Sequence, residues 1–420
     1  VQRVLRRLGL AWSDVLWPRR SVNVERDNIL LLYHDVLWSS LLSGVINTFL
    51  AVFLLRLGGS AFQVGLLVSL PALGGTFLSL RAARYVNRHR RNLKIVIIPS
   101  LLFRLGYPLL AIVPLLPLAV RTWSYVGIIA VSSIPTIISN IALTSQIGDM
   151  VRVDRRANVL SVRNMLSGVG ATLAALVGGW LLSLLPFPGN YQFVFVAAFL
   201  LSLIGLYHRN RLILPKGDDK NAPVLASVPA LTVLHRPVFR RFCFGLAIFL
   251  SGLYLPTALF SIYLVRTLQA SDRAVGIVGT VAGLAATLAY PVWGRLLGRG
   301  RLRRILPLAV AGWGLFPAFV ALAPSVVTYA LAAIYGNLFG AGVTTAVTQA
   351  LIEMGPPHER PTRVAVYNTL AGIAAVTLPL LGTLLYTVIG IHAVLLLAAA
   401  LRLAGAAMYA SMPAWRADEA

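Results

Sequence analysis

Acidic residues are scarce in this chain. Only 13 Asp and Glu stand against 37 Lys and Arg, and charged residues of both signs make up 12% of 420 residues. A soluble domain carries about twice that charged share. With 58% hydrophobic residues and a mean hydropathy of +0.80, a water-soluble fold of this length could not hide its apolar side chains. Cysteine is nearly missing too. Cys243, alone in an apolar run, excludes a disulfide framework and a cysteine metal cluster. The six histidines, His34, His89, His208, His235, His358 and His392, are scattered. No HExxH, CxxC, phosphate-loop or dinucleotide glycine pattern is present, so the chain is expected to be no enzyme, with no catalytic residue, no metal and no cofactor.

What is present is a series of long apolar runs, near 36–56, 61–80, 95–118, 124–147, 160–184, 191–207, 242–265, 274–293, 305–323, 326–352, 364–387 and 391–412. Inside lipid every backbone N–H and C=O must be paired, so only helices or closed barrels can span. Barrel strands are segments of about ten residues with period-two alternation. Runs of about twenty residues fit helices that rise about 1.5 Å per residue. The expected fold is therefore an all-α membrane protein with twelve transmembrane helices in two pseudo-symmetric six-helix bundles.

Basic residues test that count. With the N-terminus in the cytoplasm, 31 fall at cytoplasmic ends and loops. Four, Arg56, Arg121, Arg266 and Arg273, fall outside, and Arg104 and Arg402 lie within runs. That asymmetry orients the chain by the positive-inside rule. The expectation is a multi-pass protein of the plasma (cytoplasmic) membrane with both termini cytoplasmic. The formal charge of +24 then touches lipid head groups rather than nucleic acid. Residues 1–17 carry apolar positions at helical spacing and lack the apolar stretch of a secretory signal. They read as an interfacial helix ending at Pro18, with a mobile tail as the alternative.

Five segments follow: 1–28 an N-terminal cytoplasmic or interfacial segment, 29–208 a first six-helix bundle, 209–241 a cytoplasmic linker, 242–412 a second bundle, and 413–420 a tail. The linker holds the most hydrophilic stretch, Lys216-Gly217-Asp218-Asp219-Lys220-Asn221. At an offset of 204 residues the halves align. Asp149-Met150 meets Glu353-Met354, Arg156 meets Arg360, Asn164 meets Asn368, Gly168 meets Gly372 and Gly178 meets Gly382. A parallel repeat of six-helix units is an established transporter plan.

Gly294-Arg295-Leu296-Leu297-Gly298-Arg299, followed by Arg301, Arg303 and Arg304, resembles the major facilitator superfamily's loop signature G-x-L-x-D-R-x-G-R-R. Arg84, Arg88, Arg90 and Arg91 occupy the matching loop of the first half. Both copies lack the aspartate, with Gly298 and Val86 in its place. The stretches Asp149–Gly179 and Glu353–Gly382 resemble the family's helix four–five and ten–eleven junctions. The resemblance implies a central cavity lined mainly by helices 1, 4, 7 and 10, open to each side in turn.

On those helices the candidate solute-binding residues are Asn47, Thr136, Asn140, Tyr254, Thr257, Asn337, Thr344 and Gln349. Interhelical hydrogen bonding is the alternative role for each, and Arg163 and Asn164 face the same choice. Asp35 reads either as a coupling-proton site, with His34 beside it, or as an interfacial acid in a salt bridge. Arg104, buried in helix three, needs a partner. An Arg104–Asp35 pair is expected, with anion binding as its other role. Arg402 is similarly deep. Asp149, Arg156, Glu353 and Arg360, with Gly294 and Arg299 of the loop signature, are expected to form a charge latch at the inner gate.

These groups predict a secondary transporter acting by alternating access on a small neutral or amphipathic organic solute. Export is favoured, protons are the candidate coupling ion, and the lipid bilayer and a monomeric chain are its setting. Uptake of a polar nutrient such as a sugar is the alternative. A transport-inactive sensor or scaffold and a lipid-handling intramembrane enzyme are alternatives of another class.

Overall fold

In the computed structural model the described residues are 23–89, 92–214, 230–297, 302–354 and 359–412. The expected helix over 1–17, linker residues 215–229, Arg299 and the 413–420 tail lie outside them. Among the described residues all regular structure is helical. We number the long helices α1 Val24–Arg56, α2 Ala61–Arg88, α3 Lys94–Ile112, α4 Leu118–Met150, α5 Val153–Leu182, α6 Gly189–Asn210, α7 Pro237–Thr267, α8 Asp272–Leu297, α9 Leu302–Ala321 and α10 Val326–Glu353.

The last stretch, Arg360–Ala410, runs for 51 residues. As one straight helix it would measure about 76 Å, more than twice the ~30 Å hydrocarbon core. Gly390 breaks it with φ 79 and ψ 166, a conformation open to glycine and to little else. Its two legs are α11 (360–389) and α12 (391–410), which brings the crossings to twelve.

Local chemistry sets the helix ends. Asn23 caps α1 by accepting from the Arg26 N–H at 3.2 Å. Glu25 and Asp27 in the first turn complement the helix dipole. Ser325 and Thr328 form a reciprocal capping box at the start of α10, satisfying two backbone donors.

Proline breaks α7 and α9, and one arginine mends both. Pro256 and Pro317 have no N–H to give the carbonyls four residues back, which belong to Gly252 and Trp313. Arg402, 1% exposed, donates to the Gly252 carbonyl at 2.9 Å through Nε and to the Trp313 carbonyl at 3.1 Å through Nη1. Its guanidinium also lies 5.3 Å from the Trp313 ring centroid, within cation–π reach. This is the partner set of the deep arginine on α12: backbone and an indole, not a carboxylate.

The chain divides into two compact units. Unit 1 comprises Val1–Gly58, Phe77–Lys220 and Val275–Thr280, and unit 2 comprises Gly59–Thr76, Asn221–Ala274 and Val281–Ala420. In unit 1, glycines let α1 pack backbone-close against α5 and α6. A Cβ on Gly170 would collide with Ser40, and one on Gly205 would lie 2.6 Å from Ser39 Oγ. The 204-residue repeat is also a repeat of contacts. Arg156 donates to the carbonyl of Gly148 at the end of α4, and Arg360 donates to that of Ile352 at the end of α10. Gly178 packs on Phe49 of α1 in unit 1, and Gly382 on Leu255 of α7 in unit 2.

Candidate functional site

A buried polar cluster lies inside unit 1, where α1, α3, α4, α5 and α6 meet. Asp35 is fully buried at 0% exposure. It sits eleven residues past Val24, about 16 Å along the helix. Arg209 near the end of α6 donates to Asp35 Oδ2 from Nε at 3.0 Å and from Nη2 at 2.8 Å. Ser39, one turn along α1, donates to Asp35 Oδ1 at 3.1 Å.

This corrects the expected Arg104–Asp35 pair. Arg104, 4% exposed, is at the depth of Asp35 but reaches it only through Ser39, donating to its Oγ at 2.7 Å. Its Nη1 donates to the Ser100 carbonyl at 3.0 Å, and its Nε has no partner. The carboxylate goes to Arg209 because close packing at Gly205 draws α6 onto α1, with a Cβ there only 2.8 Å from the Asp35 carbonyl. By sequence, Arg209 falls at the start of the polar linker 209–241. The signal that it belongs to α6 is its helical spacing from Ser202 and Gly205, a small-residue face that meets α1.

Hydroxyls extend the network. Arg209 Nη1 donates to Ser100 Oγ at 2.6 Å, and Ser100 and Ser139 share a hydrogen bond of 2.6 Å between α3 and α4. These groups edge a cavity of about 200 Å³ that Thr136, Asn140, Arg163 and Ser167 also line. The Thr136 hydroxyl is buried with no partner, as is Arg163 Nε. Asn140 is exposed and marks an open side. Arginines from α3, α5 and α6 converge here; Arg104 is an isolated charge in an apolar run, and such charges turn toward the bundle interior, while Arg209 arrives from the last turn of α6.

Of the predicted solute-binding residues, Thr136 and Asn140 line this cavity. Asn47 is exposed on α1, one turn beyond Ser43. The other five belong to unit 2. There, Thr257 donates to the Tyr254 carbonyl at 2.6 Å, Asn337 to the Ala333 carbonyl at 2.9 Å, and Thr344 to the Gly340 carbonyl at 3.0 Å. Gln349 donates to Glu353 Oε1 at 2.6 Å. His34 stacks on His208, with ring centroids 4.9 Å apart, immediately beside the Asp35–Arg209 pair. Among the expected latch residues, Arg156 and Arg360 serve backbone carbonyls at helix ends, as cations do there. Asp149 is half-buried, and Gly294 faces open space.

Helical stretches long and apolar enough to span a membrane, the last divided at Gly390, fall in two sequence-related halves, the plan of a membrane transporter. The family model of the Major Facilitator Superfamily matches residues 36–259 and 242–416, and the chain belongs to that family. No curated protein matches the chain. Among solved structures, the nucleoside transporter NupG superposes with a TM-score of 0.70 at 14% identity, covering 93% of this chain and 99% of that one. The D-xylose-proton symporter gives 0.67 at 14% identity, over 96% and 98%. The human organic anion transporter MFSD10 gives 0.59 at 15% identity, over 92% and 100%. At such identities the likeness is one of fold.

Proposed function

We propose that this protein moves a small organic solute across the cytoplasmic membrane by alternating access of its two halves, with both termini cytoplasmic and export as the direction. The observation that carries this is the unit 1 recess. Its hydroxyl, amide and guanidinium groups line one cavity inside the helix bundle, and the Thr136 hydroxyl and the Nε atoms of Arg104 and Arg163 are buried without hydrogen-bond partners. Polar groups left unsatisfied in lipid are costly, and a recess that presents them is suited to a solute that satisfies them.

The Asp35–Arg209 pair, with His34 and Arg104 beside it, is the proposed coupling element. A proton on Asp35 would remove the charge that holds Arg209 of α6, which would tie proton movement to that helix. The acid and arginine residues at the ends of α4 and α10, Asp149, Arg156, Glu353 and Arg360, together with the Gly294–Arg299 loop, form the proposed inner gate.

Purified protein in proteoliposomes, loaded with a panel of small organic acids, alcohols, amines and nucleosides, tests the reading. Flux of at least one solute, accelerated by a pH gradient, is expected. Flux indifferent to the gradient removes the proton coupling, and absence of flux across the whole panel removes transport.

A further inference from the structure

We propose that the unit 1 recess binds the acidic group of an organic solute, a carboxylate or phosphate, between Arg104 and Arg163. The inference starts from charge. Three guanidiniums, Arg104, Arg163 and Arg209, meet at one recess, and the carboxylate bonded into it is Asp35, engaged by Arg209. Arg104 hydrogen-bonds only neutral oxygens, those of Ser39 and Ser100. Arg163 makes no hydrogen bond or ion pair among the described residues, and its Nε is buried.

Three guanidiniums thus share one carboxylate, a net excess of two positive charges, with Arg104 and Arg163 each about 15 Å along their helices and neither hydrogen-bonded to an acid. A buried unpaired cation is strongly destabilising, and intramembrane arginines mark substrate pathways. A neutral sugar or nucleoside would leave both unpaired. An oxyanion would satisfy them, because the guanidinium fork matches carboxylate and phosphate oxygens. The unpartnered Thr136 hydroxyl supplies a further donor.

Size limits what enters. The cavity holds about 200 Å³, below the ~300 Å³ at which drug-sized ligand pockets begin. It therefore takes the acidic head, and the rest of the solute extends past Asn140. None of the described residues that line the cavity is acidic. The proposal rests on the transport reading for what becomes of the solute, but not for its binding.

The test uses the purified chain in nanodiscs of phosphatidylcholine alone, with benzoate, phenyl phosphate, benzamide and benzylamine as probes. Benzoate and phenyl phosphate should raise the melting temperature, and benzamide and benzylamine should not. Arg163→Gln should weaken the anion response by about tenfold or more, the scale of a charge-assisted hydrogen bond. It should leave the unliganded protein as stable as before or more so, since Arg163 holds no other element. Equal responses to benzoate and benzamide, no response to either anion, or an unchanged response in Arg163→Gln would overturn the proposal. A response that appears only when phosphatidylglycerol is added would overturn the soluble solute and assign the site to a lipid head group. Proteoliposome flux separates the two readings: anion binding without flux of any solute would sink transport and leave the site standing. Flux of neutral solutes without anion binding would do the reverse.

Discussion

Replacing Asp35 by asparagine should destabilise the protein more than replacing its partner Arg209 by methionine. The asymmetry follows from the charges around the pair. Asp35→Asn removes the carboxylate bonded into a cluster of three guanidiniums and leaves Arg209, 6% exposed, facing an amide. Removing one member of a buried ion pair costs about 3–5 kcal/mol, and here the remaining cations repel one another as well. Arg209→Met leaves Asp35 with Ser39 as donor at 3.1 Å and with Arg104 one hydrogen bond further, its Nη2 2.7 Å from Ser39 Oγ. A modest side-chain shift gives the carboxylate a new guanidinium, so the cost should fall to about 1–3 kcal/mol. The double variant Asp35→Asn, Arg209→Met has the same excess of cations as the parent and should be more stable than Asp35→Asn alone. Denaturation by SDS in mixed micelles, followed by circular dichroism, measures all three variants as a double-mutant cycle. Equal or greater loss in Arg209→Met, or strictly additive losses in the double variant, would refute the charge accounting.

Two further expectations concern packing and backbone satisfaction. Arg402→Met should destabilise unit 2 by about 2–4 kcal/mol, because it strips charged donors from the Gly252 and Trp313 carbonyls. Arg402→Lys should fall between the two, since one ammonium cannot reach both carbonyls. The alkylation rate of the buried thiol of Cys243, on α7 of the same unit, reports the loss, and an unchanged rate in the Met variant would dismiss the role. Gly205→Val should cost about 1–3 kcal/mol by overpacking, because a Cβ there meets Ser39 Oγ at 2.6 Å and the Asp35 carbonyl at 2.8 Å. Circular dichroism melts check the stability. The same variant should also lose affinity for benzoate, since the wedge moves the groups that align Ser39 and Arg104.

Helix number and repeat were legible in the residues. A crossing needs a long apolar run and nothing else nearby, so α1 to α12 could be read one at a time. The break at Gly390 separates two runs already distinct as 364–387 and 391–412. The repeat was legible because polar matches such as Arg156 with Arg360 are rare in apolar sequence, and each arginine caps the helix that precedes it. The site was less legible. Arg104 was recognisable as deep and in need of company, but Arg209 follows an apolar run and reads as a loop charge until its helical register with Ser202 and Gly205 is considered. The serines that build the recess are common in membrane helices, and nothing local separates Ser100 from a serine bonded to its own helix.

Hydropathy and arginine placement act residue by residue against the solvent, so the primary structure alone could specify a twelve-span membrane protein and suggest its family. Partnerships among buried charges depend on which helices touch and how closely. Asp35 meets Arg209, 174 positions away, because a glycine lets α6 approach α1. Arg402 serves two proline-broken helices because the bundle folds them together. Those contacts belong to the folded bundle, where electrostatic energies in a low-dielectric interior change steeply over a few ångströms.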